Sequence, residues 1–272
     1  MTIIRVANAN DTRLDAFCGL TNHQLRNRLD PKRSMLVAES QTAIRVALEE
    51  SVEPLAFLLD ERRLQTMDDV LKDIPKEIPI YVLPPDEAEK LTGYRVTRGA
   101  LCAMRRPAPP SIGDLVANSK RLVVLEGMTD ASNVGATFRN AAALGSDGVI
   151  VAPTCADPLC RRAVRVSMGN VFRVPWTFAP KPWPNELMGI LKSEGFSCLA
   201  LALRNDAISL TDVRHELGHD ARIAFFLGAE GPGLTTSVIN ACDKSVIIPM
   251  ARNVDSLNVA AAGAVAMWEL FK

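Results

Sequence analysis

Residues 122–151 read LVVLEGMTDASNVGATFRNAAALGSDGVIV, and this stretch decides the fold. Leu122 to Glu126 is an apolar run typical of a buried strand, Val134 to Leu144 has apolar residues at helical spacing, and Gly148 to Val151 is a second apolar run. A strand, a helix and a second strand in this order predict a βαβ unit with two parallel strands. Ligands of such sheets bind beyond the carboxyl ends of the strands, so we expect the functional residues there.

The alternation of strands and helices continues to the carboxyl end of the chain. The apolar pattern next predicts a helix, three strands and a last helix, at Arg161 to Met168, Cys198 to Leu203, Ile223 to Gly228, Ser245 to Ile248 and from Leu257 onward. Because strands alternate with helices, the sequence predicts a parallel sheet covered by helices.

A proline-rich segment separates this region from the rest of the chain. Three of the four residues from Pro107 to Pro110 are proline, and such a run can neither continue a helix nor pair in the middle of a sheet. The sequence therefore predicts a first domain over residues 1–107, a linker over 108–117 and a second domain over 118–272.

The first domain also has an α/β pattern. Its predicted elements are a polar helical arm from Asp11 to Leu29, strands at Met35 to Ala38, Leu55 to Leu59, Ile78 to Leu83 and Ala100 to Met104, and helices over Ala43 to Leu48 and Leu64 to Leu71. We therefore expect a small α/β unit ahead of the second domain.

Composition restricts the class of protein. Apolar residues make up 48% of the 272 residues, and Lys plus Arg and Asp plus Glu balance at 31 each, so we expect a globular protein without a basic field over the whole molecule.

Six cysteines, at positions 18, 102, 155, 160, 198 and 242, form no CxxC pair and are typical of reduced thiols in a cytoplasmic protein. The longest low-charge run, Val254 to Trp268, is too short to cross a bilayer, so no membrane segment is expected.

A glycine-rich loop follows the predicted strand that begins at Ile223. It reads Gly228-Ala-Glu-Gly-Pro-Gly233, and glycines of this kind let the backbone approach a ligand closely. Glu230 lies in its middle, and Pro232 lacks the N–H that would hold a phosphate oxygen. The loop therefore suits a neutral or cationic ligand better than a phosphate, although an ordinary glycine-rich turn would have the same composition.

Polar residues stand in two alanine-rich helices where packing does not require them. Arg139 lies among alanines in the helix predicted over Val134 to Leu144, either on a solvated face or at an anion site. Near the last helix, Ser256 or Asp255 is the kind of residue that caps a helix N-terminus. A cap explains one residue, but it does not explain Asn258, a poor helix former expected in the first turn.

Together these three features resemble the three sequence motifs of the SpoU family, also called the TrmH family, in the SPOUT class of RNA methyltransferases. The first motif corresponds to Asn133 to Asn140, the second to Leu227 to Gly233 and the third to Ile248 to Val259, so the resemblance covers the 118–272 domain. It implies a deep trefoil knot in this parallel-sheet domain, S-adenosyl-L-methionine as the cofactor, and methyl transfer to a ribose 2′-hydroxyl of RNA. It also implies a homodimer, and the last helix, Val259 to Phe271, is apolar nearly all round, as expected of a helix buried in both a core and an interface.

The resemblance further assigns roles to individual residues. By their positions in the motifs, those that bind the cofactor are Gly228, Gly231, Ile248, Met250 and Leu257, and those around the reacting hydroxyl are Asn133, Arg139, Glu230, Ser256 and Asn258. The family's usual account makes Arg139 the general base. Lowering the pKa of a guanidinium from its ordinary value to near 7 costs about 8 kcal/mol. The alternative is that Arg139 binds a phosphate and stabilises the forming alkoxide.

The first domain resembles, less closely, a ribosomal-protein-like RNA-binding domain that often precedes this catalytic domain. Leu36-Val-Ala-Glu-Ser40 lies where the family commonly has a strand ending in Glu-Gly, so the serine departs from the pattern. Arg26, Arg28, Lys32 and Arg33 form its best basic cluster, which ordinary solvated surface would explain equally well. By analogy we expect the substrate to be ribosomal RNA rather than transfer RNA. The alternatives are a transfer RNA 2′-O-methyltransferase and a catalytically silent RNA-binding relative.

One further motif indicates different chemistry. His215-Glu-Leu-Gly-His219 spells HExxH, which on a helix would present two imidazoles to zinc, as in a zinc peptidase. Gly218 weakens that helix, and the remaining histidine, His23, lies in the other domain. We therefore expect no metal site.

Overall fold

The chain folds into two compact units, described by a computed structural model that covers residues 2–17, 34–92, 100–218, 220–252, 254 and 256–271. One unit consists of Met1–Pro107 with Leu159–Phe172, and the other of Ala108–Pro158 with Arg173–Lys272. The segment 159–172, which the sequence analysis counts in the second domain, packs with the first unit.

Strands and helices alternate along most of the chain. Within the described residues the strands are β1 Thr2–Arg5, β2 Met35–Glu39, β3 Pro54–Asp60, β4 Pro79–Leu83, β5 Ala100–Arg105, β6 Arg121–Leu125, β7 Gly148–Val151, β8 Trp176–Phe178, β9 Phe196–Leu201, β10 Ile208–Ser209, β11 Arg222–Leu227 and β12 Lys244–Ile247. The α-helices are α1 Gln41–Glu49, α2 Arg63–Thr66, α3 Asp68–Leu71, α4 Pro85–Thr92, α5 Ile112–Ala117, α6 Ala131–Leu144, α7 Arg161–Val166, α8 Asn185–Ser193, α9 Leu210–Leu217, α10 Thr236–Ala241 and α11 Val259–Leu270. No helix in the described parts of the chain is long and apolar enough to cross a membrane.

The first unit is built on a mixed sheet with the strand order β1-β4-β3-β5-β2. β1, β4 and β3 run parallel, whereas β5 pairs antiparallel with both β3 and β2. The four predicted strands are present, and β1 is an additional edge strand whose residues are mostly exposed. Of the arm predicted over Asp11 to Leu29, Thr12–Phe17 forms a 3-10 helix. The remainder of that arm and the basic cluster Arg26, Arg28, Lys32 and Arg33 lie outside the described residues.

A buried carboxylate joins β2 to α7 within the first unit. Glu39, the last residue of β2, is 3% exposed. Its side chain accepts hydrogen bonds from Arg161 Nε at 3.0 Å and Arg165 Nη1 at 3.3 Å. The next residue, Ser40, has a φ of 91°, a conformation that favours glycine, and its hydroxyl accepts a hydrogen bond from Ala43 N at the start of α1. Serine therefore provides the helix cap at a position whose backbone would suit the expected glycine.

The second unit is built on a sheet in which every pairing of the described strands is parallel, with the order β10-β12-β9-β11-β6-β7-β8. This arrangement confirms the predicted parallel α/β architecture. One face packs against α5, α8 and α10. Helices α6 and α11 pack against each other, and α11 lies against β11. Phe271, directly after α11, contacts Phe225 of β11 edge to face, with ring centroids 5.4 Å apart. Because these strands are parallel, the carboxyl ends of β6, β9, β11 and β12 lie on the same side of the sheet.

Candidate active site

A cavity of about 660 Å³ lies at the carboxyl ends of β9, β11 and β12 in the second unit. Its walls are the ends of these strands, the glycine loop and the segment that leads into α11, namely residues 201–203, 227–234, 239, 246–248, 250, 256–259 and 262. Among these described lining residues, Glu230 is the only one with an ionisable side chain. The position agrees with the expectation that ligands of a parallel sheet bind beyond the strand ends.

The glycine loop between β11 and α10 folds back on itself. Ala229 and Gly233 exchange two backbone hydrogen bonds, of 3.2 and 3.0 Å. A Cβ atom on Gly228 would lie 2.2 Å from the carbonyl carbon of Gly233, so no other residue fits there without moving the backbone. Gly231 and Gly233 have φ values of 86° and 69°, which favour glycine. The loop is therefore a tightly closed wall of the cavity.

Asn258 connects the three sequence motifs. Its Nδ2 donates to Asn133 Oδ1 at 3.1 Å and to Glu230 Oε1 at 2.5 Å. Its Oδ1 accepts from the backbone N–H groups of Ala260 and Ala261, so Asn258 is the N-cap of α11. The expectation that Ser256 or Asp255 caps this helix and that Asn258 lies in its first turn is therefore wrong. Asn258 precedes the helix, where a short polar side chain is favourable.

Helix α6 presents Asn133 to this cluster. The helix starts at Ala131, ahead of the predicted start, because the side chain of Asp130 accepts a hydrogen bond from Ser132 N and caps it. Asn133 is therefore in the first turn and is buried, 8% exposed. Two turns later Asn140 Nδ2 donates to the carbonyl oxygen of Ala260 in α11 at 2.8 Å. Two asparagines thus fix α6 against the start of α11.

The predicted site residues are not all brought together. Those that line the cavity are Gly228, Glu230, Gly231, Ile248, Met250, Ser256, Leu257 and Asn258, and Asn133 is joined to them through Asn258. Arg139 does not line the cavity, and its residue is exposed. The buried positions of α6, among them Val134, Phe138 and Ala141, face the interior, so Arg139 projects from the outer face of the helix.

Three cysteines that are partly or fully buried, Cys155, Cys198 and Cys242, supply no thiolate nucleophile to this region. Desolvation by burial raises the pKa of Cys155 to about 11 and that of Cys198 to about 12. It also raises the pKa of Cys242 well above the ordinary thiol value. These side chains are therefore thiols rather than thiolates at neutral pH.

Within the described residues, helix α9 contains the first three residues of the HExxH sequence, His215 to Leu217. Helix α9 ends at Leu217, and Gly218 after it has a φ of 76°. His23 and His219 lie outside the described residues. In the parts of the chain that the structure describes, no group of His, Cys, Asp and Glu has the arrangement of a metal site.

Two residues that bond to the motifs were not singled out as functional from the sequence. Glu126 follows β6 directly and is 4% exposed, and a carboxylate next to an apolar strand is the only sequence signal for it. Asn140 belongs to the first motif, but its partner, the carbonyl of Ala260, is 120 residues away in the chain. The apolar residues 201–203 of the cavity wall carry no distinguishing pattern.

Comparison with known proteins agrees with this geometry. The sequence model of the SpoU rRNA methylase family matches residues 120–268. An uncharacterized tRNA/rRNA methyltransferase of Mycobacterium bovis is 40% identical over 264 residues, which are 97% of this chain and 90% of that protein. The 23S rRNA (guanosine-2′-O-)-methyltransferase RlmB of Acinetobacter baylyi is 29% identical over 217 residues, 77% of this chain and 84% of the relative. The crystal structure of the SpoU methyltransferase AviRb from Streptomyces viridochromogenes in complex with AdoMet has the same fold, with a TM-score of 0.79 over 96% of this chain and 98% of that one at 22% identity.

Proposed function

The chain belongs to the SpoU rRNA methylase family, and from that premise we propose that it transfers a methyl group from S-adenosyl-L-methionine to a ribose 2′-hydroxyl of structured RNA. The observation that carries this function is the cluster of Asn258, Glu230 and Asn133 beside the glycine-loop cavity. A reaction at a hydroxyl needs polar groups that orient the oxygen and receive its proton, next to a pocket for the methyl donor.

The cavity fits S-adenosyl-L-methionine better than a nucleotide phosphate. Its described lining contains one carboxylate, Glu230, no Lys or Arg, and many apolar side chains, whereas phosphate sites use basic residues or rows of free N–H groups. When bound, the cofactor supplies an electrophilic methyl group. The residues proposed to hold it are Gly228, Ile248 and Leu257 through their backbones, with Gly231 and Met250 shaping the pocket.

Isothermal titration calorimetry tests the choice of cofactor. We expect S-adenosyl-L-methionine to bind and ATP and NAD to give no heat of binding, because Glu230 and Pro232 oppose a phosphate at the loop. Comparable affinity for ATP would contradict the assignment.

The ribose hydroxyl loses its proton as its oxygen bonds to the methyl carbon, and the bond between that carbon and the cofactor's sulfur would break, leaving a neutral thioether. We assign proton acceptance to Glu230, the one ionisable side chain in the described lining, and charge stabilisation to Arg139, whose planar cation suits an adjacent phosphate and the developing negative oxygen. Single-turnover methylation tests both assignments. Glu230→Gln cannot accept the proton and should slow methyl transfer by about 100-fold or more, and Arg139→Lys keeps the charge but loses the planar fork and should slow it by about 100-fold.

The exposed position of Arg139 supports a homodimer in which this residue serves the cavity of the second copy. Helix α11, which packs beside α6, carries an apolar exposed stripe of Ala261, Val265 and Trp268. Val265 and Trp268 are 42% and 55% exposed, unusual values for large apolar side chains on neighbouring turns. The proposed interface therefore uses the outer faces of α6 and α11.

We also propose that the carboxyl-terminal part of the second unit is threaded as the deep trefoil knot that the resemblance implies. In support, β12 is the last strand in the described chain, yet it lies inside the sheet between β9 and β10. A final strand added without threading would more simply occupy an edge.

Ribosomal RNA is the proposed substrate, as the relative RlmB from Acinetobacter is named for it. Methylation of a 2′-hydroxyl removes the nucleophile of alkaline RNA cleavage, so the product is an alkali-stable dinucleotide. Radiolabelled cofactor, purified protein and undermodified ribosomal RNA should give label in such dinucleotides. Label in transfer RNA alone would show that transfer RNA, and not ribosomal RNA, is the substrate. Cofactor binding without label in either RNA would indicate a catalytically silent RNA-binding protein.

A further inference from the structure

Glu126 is a buried acid with three hydrogen-bond donors around its carboxylate. It follows β6 directly and is 4% exposed. Its Oε1 accepts from Trp183 Nε1 at 2.8 Å and from Thr235 Oγ1 at 2.9 Å, and its Oε2 accepts from Thr235 N at 2.8 Å. All of these donors are neutral, so hydrogen bonds rather than an ion pair hold the side chain.

These bonds join Glu126 to both ends of the glycine loop. Its backbone N–H donates to the carbonyl of Leu227, the residue before the loop, at 2.9 Å. Its carboxylate holds Thr235, which follows the loop and whose hydroxyl also caps α10. The glycine loop, Gly228–Gly233, lines the cavity together with the adjoining Leu234. Glu126, directly after the neighbouring strand β6, thus fixes both the point where the loop leaves β11 and the point where the chain enters α10.

We propose that Glu126 is a positioning residue for the cofactor, acting through the glycine loop. The inference rests on the proposed function, because it takes the ligand of the cavity to be S-adenosyl-L-methionine. Glu126 does not line the cavity, so it acts on binding by holding backbone that does. The tip of the loop is held separately through Glu230 and Asn258. Glu126 makes none of the bonds of the methyl-transfer cluster, so we expect that cluster to persist when Glu126 is changed.

A carboxylate is needed because both oxygens face donors. In Glu126→Gln, either orientation of the amide turns its NH₂ group toward at least one donor, the N–H or O–H of Thr235 or the indole N–H of Trp183. The loop end then loses a charge-assisted bond and gains a repulsive contact. We expect the Kd for S-adenosyl-L-methionine to rise about tenfold or more.

The experiment compares three variants of the full-length protein by calorimetry with S-adenosyl-L-methionine and by single-turnover methylation. Thr235→Val removes one bond to Glu126 and the cap of α10, and should raise the Kd several-fold. Ser111→Ala removes the equivalent cap of α5, another six-residue helix of the same unit, and should leave the Kd within about twofold of wild type. At saturating cofactor, the rate of Glu126→Gln should stay within about threefold of wild type, because positioning of the cofactor affects its binding first.

The outcomes distinguish failure of the proposed function from failure of the positioning role of Glu126. Wild-type protein that does not bind S-adenosyl-L-methionine would refute the proposed function itself. Wild-type binding with unchanged Kd in Glu126→Gln or in Thr235→Val would overturn the positioning role alone. If Glu126→Gln does not fold, Thr235→Val decides the question, and equal losses in Thr235→Val and Ser111→Ala would assign the effect to helix capping. The indole N–H resonance of Trp183 should move in Glu126→Gln, which reports the altered bond directly.

Discussion

At the scale of single residues, Asn258 has two separate tasks in one side chain. Its amide oxygen caps α11 through Ala260 and Ala261, and its amide nitrogen binds Asn133 and Glu230. The first task stabilises a helix, and the second arranges the polar cluster. Because different atoms serve the two tasks, a substitution can remove one and retain the other.

Asn258→Asp is that substitution. The carboxylate still accepts from the N–H groups at the start of α11, so the helix keeps its cap. It cannot donate to Asn133 and places a second negative charge beside Glu230, so we expect single-turnover methylation to slow by about 100-fold. Asn258→Ala should lose the same rate and, in addition, about 1 kcal/mol of unfolding free energy. Normal turnover in Asn258→Asp would show that Asn258 has no role in the reaction.

Gly228 tests the closed form of the loop. Gly228→Ala puts a methyl group 2.2 Å from the carbonyl carbon of Gly233, which the loop can relieve only by opening. We expect cofactor binding to fall below detection by calorimetry. Gly189→Ala is the control, because nothing lies within 4 Å of its Cβ position in α8 and alanine favours a helix. Retained binding in Gly228→Ala would show that the loop is not part of the pocket.

At the scale of elements, local patterns account for what the sequence could predict. The β6, α6 and β7 segment follows from its apolar pattern, since both strands are continuous apolar runs that are almost wholly buried and α6 has one buried face. The helix predicted over Leu64 to Leu71 is instead two short helices, because Met67 between them is fully buried with a φ of −108°. Tertiary packing overrides helical spacing there.

Local apolar patterns could not predict contacts between residues that are far apart in the chain. Asn258 and Asn133 are 125 residues apart, and only the resemblance to a family suggested that they meet. Glu126 carries no local sign of its three donors. Residues 159–172 likewise pack with elements of the first unit that lie more than a hundred residues earlier, among them β2 through Glu39.

The Glu39 cluster should stabilise the first unit strongly. Glu39→Gln leaves Arg161, whose side chain is 9% exposed, without its carboxylate, and breaking a buried pair on one side costs about 3 to 5 kcal/mol. Chemical denaturation should show this loss. Glu53→Gln removes the partner of Arg105 in an exposed pair and should change stability little. Equal stability of the two variants would mean that the buried cluster contributes no more than a surface pair.

At the scale of the whole molecule, the proposed dimer predicts complementation between inactive variants. Arg139→Ala keeps an intact cavity and Asn258→Ala keeps Arg139, so each homodimer should be inactive. If Arg139 acts in the cavity of the second copy, unfolding and refolding the two together should restore about a quarter of wild-type activity, because half of the dimers would carry one complete site. Co-expression followed by tandem purification of the mixed dimer gives a check that needs no refolding. No recovery in the mixed dimer would mean that Arg139 acts within its own chain or not at all.

The grouping of residues 159–172 with the first unit has a consequence for how the protein is made. During synthesis Glu39 leaves the ribosome 122 residues before Arg161, a delay on the order of ten seconds at typical elongation rates. Throughout that interval the nascent first unit lacks two arginines that donate to its buried acid, Arg161 and Arg165. The unit is therefore completed only after part of the second has been translated, and it cannot be exchanged between proteins as a cassette cut at the proline-rich linker. Replacement of the first unit in the course of evolution would have to carry the 159–172 segment with it.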